Sequence, residues 1–126
     1  MKINGIDHIV FTVNNIDATC KFYSQVLGMQ IIEFGDGRYA LGFGTAKINL
    51  HEKGKEFEPK ALNSTPGSID ICFITDIPMK DVLTHIGSCR VNVIEGPVKR
   101  NGSLGQIESI YLRDPDGNLI EIANYI

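Results

Sequence analysis

Residues 7–29 read DHIVFTVNNIDATCKFYSQVLGM, and the fold is most clearly indicated here. Residues 6–13 alternate with a period of two and carry apolar side chains on both faces, which predicts a strand covered on both sides. An asparagine pair at 14–15 favours a helix start, and Gly28 favours a helix end. The apolar stripe expected on this helix comprises Ile16, Cys20, Tyr23 and Leu27. The stretch therefore predicts a strand followed by an amphipathic helix.

The same order of elements occurs twice along the chain. After the first helix, short strands are expected near residues 29–34, 39–44 and 46–51. The second half repeats the series, with a strand at 68–75, a helix at 77–88 and strands near 91–94, 107–113 and 119–124. The two halves are offset by about 60 residues, which indicates an internal duplication.

This duplication predicts the architecture. We expect an α+β fold in which two βαβββ modules form a curved mixed-sheet cup with the helices outside. The modules span residues 1–54 and 67–126 of a single domain, 1–126, and a charged linker with two prolines joins them. In the second module, the sequence Asp-Pro-Asp-Gly at 114–117 predicts a tight turn between the last two strands.

The composition excludes several classes of protein. With 43% apolar and 21% charged residues, the 126-residue chain has the make-up of an ordinary globular domain. A formal charge of −3 argues against a nucleic-acid partner. No apolar run approaches the roughly 18 residues of a membrane span or resembles a signal-peptide core, so we expect a cytoplasmic protein without a membrane partner. Cys20, Cys72 and Cys89 show no disulfide or zinc spacing and are interpreted as small apolar fillers.

Polar side chains occupy equivalent, core-like positions in the two modules. His8 and Asp70 correspond on the first strands, and Asn49 and Glu121 correspond on the last strands, with His51 two residues beyond Asn49. Because buried histidines and carboxylates are costly unless paired or bound to a metal, their coincidence predicts a site. Taken singly, His8 is also consistent with a hydrogen-bonded core histidine, and Glu121 with the solvent face of an edge strand. Asp70 alone is consistent with a backbone cap, and His51 with a surface position.

The opening stretch 7–29, with its FY..VLGM ending, and the closing stretch 110–122, IYLRDPDGNLIEI, carry a family resemblance. The chain resembles the vicinal oxygen chelate superfamily, which includes glyoxalase I, extradiol dioxygenases, and fosfomycin- and bleomycin-resistance proteins. It is most similar to small glyoxalase-domain proteins, some of them called virulence proteins or lactoylglutathione-lyase-like. The resemblance covers essentially the whole chain and implies paired βαβββ modules, a metal ion in the cup and a homodimer.

The resemblance also implies a ligand set for a divalent metal ion. The first-strand ligand of the family falls on His8, and the last-strand glutamate falls on Glu121. The fifth-strand ligand, usually histidine, falls on Asp70, and the fourth-strand ligand of glyoxalase I falls on Asn49, with His51 as the substitute. His8, Asp70, Glu121 and His51 are the expected metal residues, and a nitrogen and oxygen set suits zinc, nickel, cobalt, manganese or iron.

Substrate-binding residues are expected at three further positions. Thr12 stands where glyoxalase I carries an arginine that helps hold glutathione. Tyr111 stands where fosfomycin-resistance proteins place a pocket tyrosine, and Arg113 follows it in the same strand; packing alone would also explain Tyr111. The segment 99–106, KRNGSLGQ, is a candidate lid because it combines glycines with two positive charges.

The function expected from these residues is that of a metal-dependent lyase or isomerase. A small substrate with two adjacent oxygens would bind the metal ion, and Glu121, or alternatively Asp70, would act as the catalytic base. The alternative is a non-catalytic protein that sequesters a small molecule, as bleomycin-resistance proteins do, because Asp70 replaces the usual histidine. A third hypothesis is an interaction module that uses the charged loop at 52–60 around Phe57.

Overall fold

The computed structural model describes residues 1–126 and contains two helices and eight strands. The chain forms strand, helix and three strands, and then repeats this series. The elements are β1 (His8–Val13), α1 (Ile16–Gln25), β2 (Gln30–Phe34), β3 (Arg38–Phe43), β4 (Ala46–Glu52), β5 (Asp70–Ile74), α2 (Met79–Ser88), β6 (Glu95–Gly102), β7 (Gly105–Arg113) and β8 (Leu119–Tyr125). The predicted duplication is therefore confirmed element by element.

The chain forms two compact units, Met1–Pro66 and Gly67–Ile126. Each unit has one four-stranded mixed sheet, with the strand order β1-β4-β3-β2 in the first and β5-β8-β7-β6 in the second. In both sheets the first strand pairs in parallel with the last, and the other pairs are antiparallel. The α+β fold of two βαβββ modules is thus confirmed, whereas their action as a single domain stays a prediction. Neither helix is long and apolar enough to span a membrane.

In the first unit, α1 packs on one face of the sheet, and the other face carries both polar and apolar side chains. The Asn15 side chain accepts a hydrogen bond from the Ala18 amide at 2.8 Å and so caps the helix. Phe11 and Tyr23 meet edge to face with their ring centroids 6.2 Å apart. The other largest buried apolar side chains of this unit are Val13, Leu41 and Ile48. Because alternate residues of a strand point to opposite faces, the neighbours of these core residues line the opposite face.

The second unit is built on the same principle. Its largest fully buried apolar side chains are Ile86 of α2, Ile110 and Leu112 of β7, and Ile120 of β8. Ile110 lies opposite Ile122, and Leu112 lies opposite Ile120, in the β7 and β8 register. The residues between them, on the other face, include Ser109, Tyr111 and Glu121.

The predicted strand near residues 91–94 is wrong, because the strand lies at Glu95–Gly102. This β6 strand contains Pro97 and a register irregularity between Glu95 and Val98, and it has few apolar residues. An edge strand tolerates proline because one side of its backbone has no sheet partner. The segment 99–106 forms a hairpin, since β6 and β7 pair through it, and its role as a lid stays a prediction.

The predicted turn at 114–117 is confirmed, and Asn118 extends it. The Asp114 carboxylate accepts hydrogen bonds from the amide of Asp116 at 2.9 Å and from that of Asn118 at 3.0 Å. The Asn118 side chain donates to Asp114 at 2.8 Å and accepts from the Ile69 amide at 2.9 Å. Asn118 is fully buried and therefore ties the start of β5 to the turn before β8.

Candidate active site

One face of the second sheet collects most of the predicted site residues. Asp70 and Cys72 alternate along β5 on this face. Cys72 lies opposite Glu121 of β8, and Glu121 in turn lies opposite Tyr111 of β7. Arg113 lies on the same face, two residues beyond Tyr111. Backbone pairing thus brings Asp70, Cys72, Glu121, Tyr111 and Arg113 to one sheet surface.

Glu121 is the best-anchored carboxylate of this face. It is half-buried, and one carboxylate oxygen, Oε2, accepts a hydrogen bond from Ser109 Oγ at 2.5 Å. Ser109 is itself fully buried on β7, so the hydroxyl fixes the carboxylate orientation. A serine in an alternating strand carries no sequence signal for this role, and sequence reasoning missed it.

The Cys72 thiol on this face has a raised pKa. Burial, the charge of Glu121 with a hydrogen bond to it, and the charge of Asp70 raise the pKa of Cys72 to about 11. The thiol is therefore protonated at neutral pH, although it is exposed. The interpretation of Cys72 as an apolar filler is wrong, whereas Cys20 is buried as expected.

An arginine, a tyrosine and a glutamate form a polar cluster beside Glu121. Arg100 Nε donates a hydrogen bond to the Tyr111 hydroxyl at 3.0 Å, and Arg100 Nη2 contacts Glu95 Oε2 at 3.2 Å. Burial raises the pKa of the Tyr111 phenol, so the hydroxyl keeps its proton at neutral pH. Sequence reasoning found Tyr111 but missed Arg100 as a site residue, because it assigned residues 99–106 to a lid.

These side chains line a cavity of about 540 Å³ on the second unit. Its polar lining consists of Asp70, Glu95, Arg100, Tyr111, Arg113 and Glu121. Arg113 also donates from Nη1 to the Gly117 carbonyl at 3.2 Å, which ties it to the turn. The cavity therefore combines three carboxylates with two guanidinium groups and one phenol, a lining that suits a small polar molecule.

His8 lies at the start of β1 in the first unit. Its side chain is 46% exposed, and its Nδ1 lies 2.9 Å from Asp7 Oδ2. A carboxylate at Nδ1 leaves Nε2 available, an arrangement that is common for metal-binding histidines. The structure therefore shows His8 as an oriented, accessible imidazole and not as a core histidine.

His51 is buried and lies opposite Thr12 in the β1 and β4 register. Its ring meets that of Phe57 edge to face, with centroids 5.6 Å apart. Burial, and next the charge of Arg38, lower the pKa of His51, so the imidazole is neutral at neutral pH. The surface alternative for His51 is therefore wrong, and Thr12 is also buried.

The four expected metal residues lie in both units. His8 and His51 belong to the first unit, and Asp70 and Glu121 belong to the second. Nowhere in the chain are three His, Cys, Asp or Glu side chains grouped as a metal-binding set. Imidazole nitrogen and carboxylate oxygen are nevertheless donors that divalent transition metals accept, so the chemistry of the donor types fits such an ion.

Comparison with known proteins identifies the family. Residues 5–122 match the Glyoxalase/Bleomycin resistance protein/Dioxygenase superfamily. The chain is 53% identical over 126 residues to virulence protein STM3117 of Salmonella typhimurium, covering 100% of this chain and 88% of that protein. It is 51% identical over 125 residues to the glyoxalase domain-containing protein RDO1 of Mycosarcoma maydis, covering 99% of this chain and 70% of that protein.

A solved structure agrees with the sequence comparison. The integron cassette protein VCH_CASS1, from the mobile metagenome of V. Cholerae, superimposes with a TM-score of 0.98 at 55% identity, covering 100% of this chain and 98% of that one. The match spans both βαβββ units and the strands that carry His8 and Glu121. The chain therefore belongs to the Glyoxalase/Bleomycin resistance protein/Dioxygenase superfamily.

Proposed function

We propose that this protein is a metal-dependent lyase or isomerase that acts on a small substrate with two adjacent oxygens, such as an α-hydroxycarbonyl compound. The observation that carries the proposal is the anchored Glu121 carboxylate, which lies on an accessible face beside Asp70 and is held by Ser109 at 2.5 Å. We assign His8, Asp70 and Glu121 as ligands of the ion, with His51 as a further candidate. The working form in this proposal is a cytoplasmic homodimer.

The charge on the second-unit face supports the choice of a cation. Asp70 lies two residues before Cys72 on β5, and Glu121 lies opposite Cys72 on β8. Both carboxylates line the same cavity and raise the pKa of Cys72, and such a negative field favours a bound positive charge. A divalent ion held there would polarise a substrate carbonyl and stabilise the enediolate formed from it.

The chain's own groups have separate roles in the proposed reaction. Glu121 removes the proton from the substrate carbon next to the carbonyl, and the Ser109 hydroxyl keeps the carboxylate in position during this transfer. Tyr111, with its hydroxyl held by Arg100 at 3.0 Å, donates to a substrate oxygen. Arg113 contributes positive charge at the rim of the cavity, and Thr12 is the proposed substrate contact from the first unit.

Elemental analysis of protein purified without chelator tests the metal. The wild-type protein is expected to contain about one divalent ion per chain, and Glu121→Gln is expected to lose it, because the amide removes the anionic ligand. Glu108→Gln is the matched control, since Glu108 lies on β7 but on the opposite face of the sheet. Metal retained in Glu121→Gln at the wild-type level would contradict the ligand assignment.

Proton exchange tests the chemistry. In D₂O, the metal-loaded protein is expected to exchange the proton next to the carbonyl in a panel of 2-hydroxycarbonyl compounds and 2-oxoaldehyde hemithioacetals, followed by proton NMR. Glu121→Gln should slow exchange by about 100-fold or more, because it removes both the proposed base and a proposed anionic ligand of the ion. Saturable binding of panel compounds without any exchange would instead favour the sequestering protein.

A further inference from the structure

Two positive side chains of the first unit lie against one aromatic ring. The Lys47 ammonium is 4.3 Å from the centroid of the Phe34 ring, and the Arg38 guanidinium is 5.0 Å from it. Arg38 also lies 4.7 Å from the ring centroid of Phe57. Cation–π contacts hold both groups in place, and both cations are half-buried.

Neither cation has a carboxylate partner. The ion pairs of the chain involve other residues, and no hydrogen bond of the Arg38 or Lys47 side chain is present. The nearby Glu56 accepts from the Gly54 amide at 2.7 Å and pairs with Lys60 at 3.5 Å. Two positive charges held around one ring repel each other, so an anion bound between them would lower the electrostatic energy of the pair.

A buried amide lies on the same face of the sheet. Lys47, Asn49 and His51 alternate along β4, so their side chains share one face. Asn49 is only 8% exposed, and its Oδ1 is buried without a hydrogen-bond partner. An unpaired buried acceptor costs about 1–3 kcal/mol, so a donor that belongs to a ligand would satisfy it. Ala40, which has a small side chain, lies opposite Asn49 on β3.

We infer that this face of the first unit binds a small oxyanion that also carries a hydroxyl group. Arg38 and Lys47 neutralise the anion, the hydroxyl donates to Asn49 Oδ1, and Phe34 and Phe57 form apolar walls. Hydrogenphosphate and α-hydroxycarboxylates share this chemistry. The site stands on residues of the first unit alone and does not require a metal ion.

Titration of isotope-labelled, metal-free protein with inorganic phosphate and, separately, with glycolate tests the site. Ionic strength is held constant with potassium chloride, and amide NMR signals of Phe34, Arg38 and Asn49 are followed. At least one oxyanion is expected to shift these signals saturably, and the tighter one names the ligand class. Lys47→Gln and Arg38→Gln should each weaken binding by about tenfold or more, because each removes a charge-assisted hydrogen bond.

Lys21→Gln is the matched control, because Lys21 is an exposed lysine on α1 and the variant loses the same charge. It should change the affinity less than about twofold, and Lys47→Arg should retain binding. Absence of saturable shifts with both oxyanions, or equal weakening in Lys21→Gln and Lys47→Gln, would overturn the proposal. Metal content, measured separately, tells this failure apart from a failure of the proposed reaction.

Discussion

Burial, and next the carboxylates Glu121 and Asp70 on its own sheet face, raise the pKa of Cys72. Its pKa of about 11 leaves almost no thiolate near neutral pH, and only the thiolate reacts with alkylating agents. In metal-free protein, Glu121→Gln removes one negative charge and lowers this pKa toward its ordinary value. We expect iodoacetamide to label Cys72 about three- to tenfold faster at pH 8 in this variant, measured by peptide mass spectrometry.

Glu108→Gln removes the same charge from the opposite face and should leave the labelling rate of Cys72 unchanged. Cys20 provides an internal reference, because it is buried and its raised pKa also disfavours the thiolate. Equal labelling of Cys72 in wild-type and Glu121→Gln protein would show that the carboxylate does not set the thiol pKa.

The lowered pKa of His51 makes the stability of the protein depend on pH. Its pKa in the folded protein lies below the ordinary value of 6.5, so the unfolded chain binds a proton more readily. The free energy of unfolding should therefore fall as pH drops below about 6.5, and His51→Asn should flatten this fall. Urea unfolding at several pH values between 7.5 and 5.5 measures the difference. Arg38→Gln should give an intermediate slope, because it removes the second cause of the shift; an unchanged slope in His51→Asn would contradict the assignment.

For single residues, the sequence predicted which sheet face a side chain occupies better than it predicted which side chains contact it. The duplication placed Asp70 and Glu121 on one sheet face, because side-chain alternation follows directly from strand register. The partners of these residues depend on the distance between strands that are far apart in sequence. For this reason the hydrogen bond from Ser109 and the contact of Arg100 with Tyr111 could not be predicted.

The turn before β8 depends on hydrogen bonds made by one buried side chain, Asn118. Asn118 is buried and links Ile69 to Asp114 through hydrogen bonds of 2.9 and 2.8 Å. Asn118→Ala leaves a backbone amide and a carboxylate without these partners, so we expect a loss of about 2–3 kcal/mol in the free energy of unfolding, measured by urea titration. Asn92→Ala, at an exposed position in the same unit, should stay within about 0.5 kcal/mol of wild type. Similar midpoints for the two variants would show that the turn does not depend on this side chain.

Elements with a strong apolar period were predicted, and the one without it was misplaced. β7 and β8 alternate apolar and polar residues and were found close to their true bounds. β6 reads EGPVKRNG, and only its pairing with β7 makes it a strand. Its position therefore depends on tertiary structure, which the local sequence does not encode.

At the scale of the whole molecule, the duplication gives two units with the same strand order and different chemistry. The first unit presents cations, Arg38 and Lys47, together with His8. The second unit presents the carboxylates Asp70 and Glu121 together with the guanidinium groups of Arg100 and Arg113. Equivalent positions differ in charge, since Asp70 corresponds to His8 and Glu121 to Asn49. The family resemblance transfers motif residues and not the residues around them, so it did not predict the cations Arg38 and Lys47.

Thermal unfolding tests whether both units contribute to metal binding. An ion that binds only the folded protein adds about 2.7 kcal/mol at a concentration 100 times its Kd, so saturating divalent metal should raise the melting temperature of chelator-treated wild-type protein. His8→Ala and Glu121→Gln should each abolish the rise, since one removes a proposed ligand from the first unit and the other a proposed ligand from the second. His85→Ala removes an exposed histidine from α2 and should show the same rise in melting temperature as the wild-type protein. A rise that survives in His8→Ala but not in Glu121→Gln would confine the ion to the second unit and remove His8 from the proposed site.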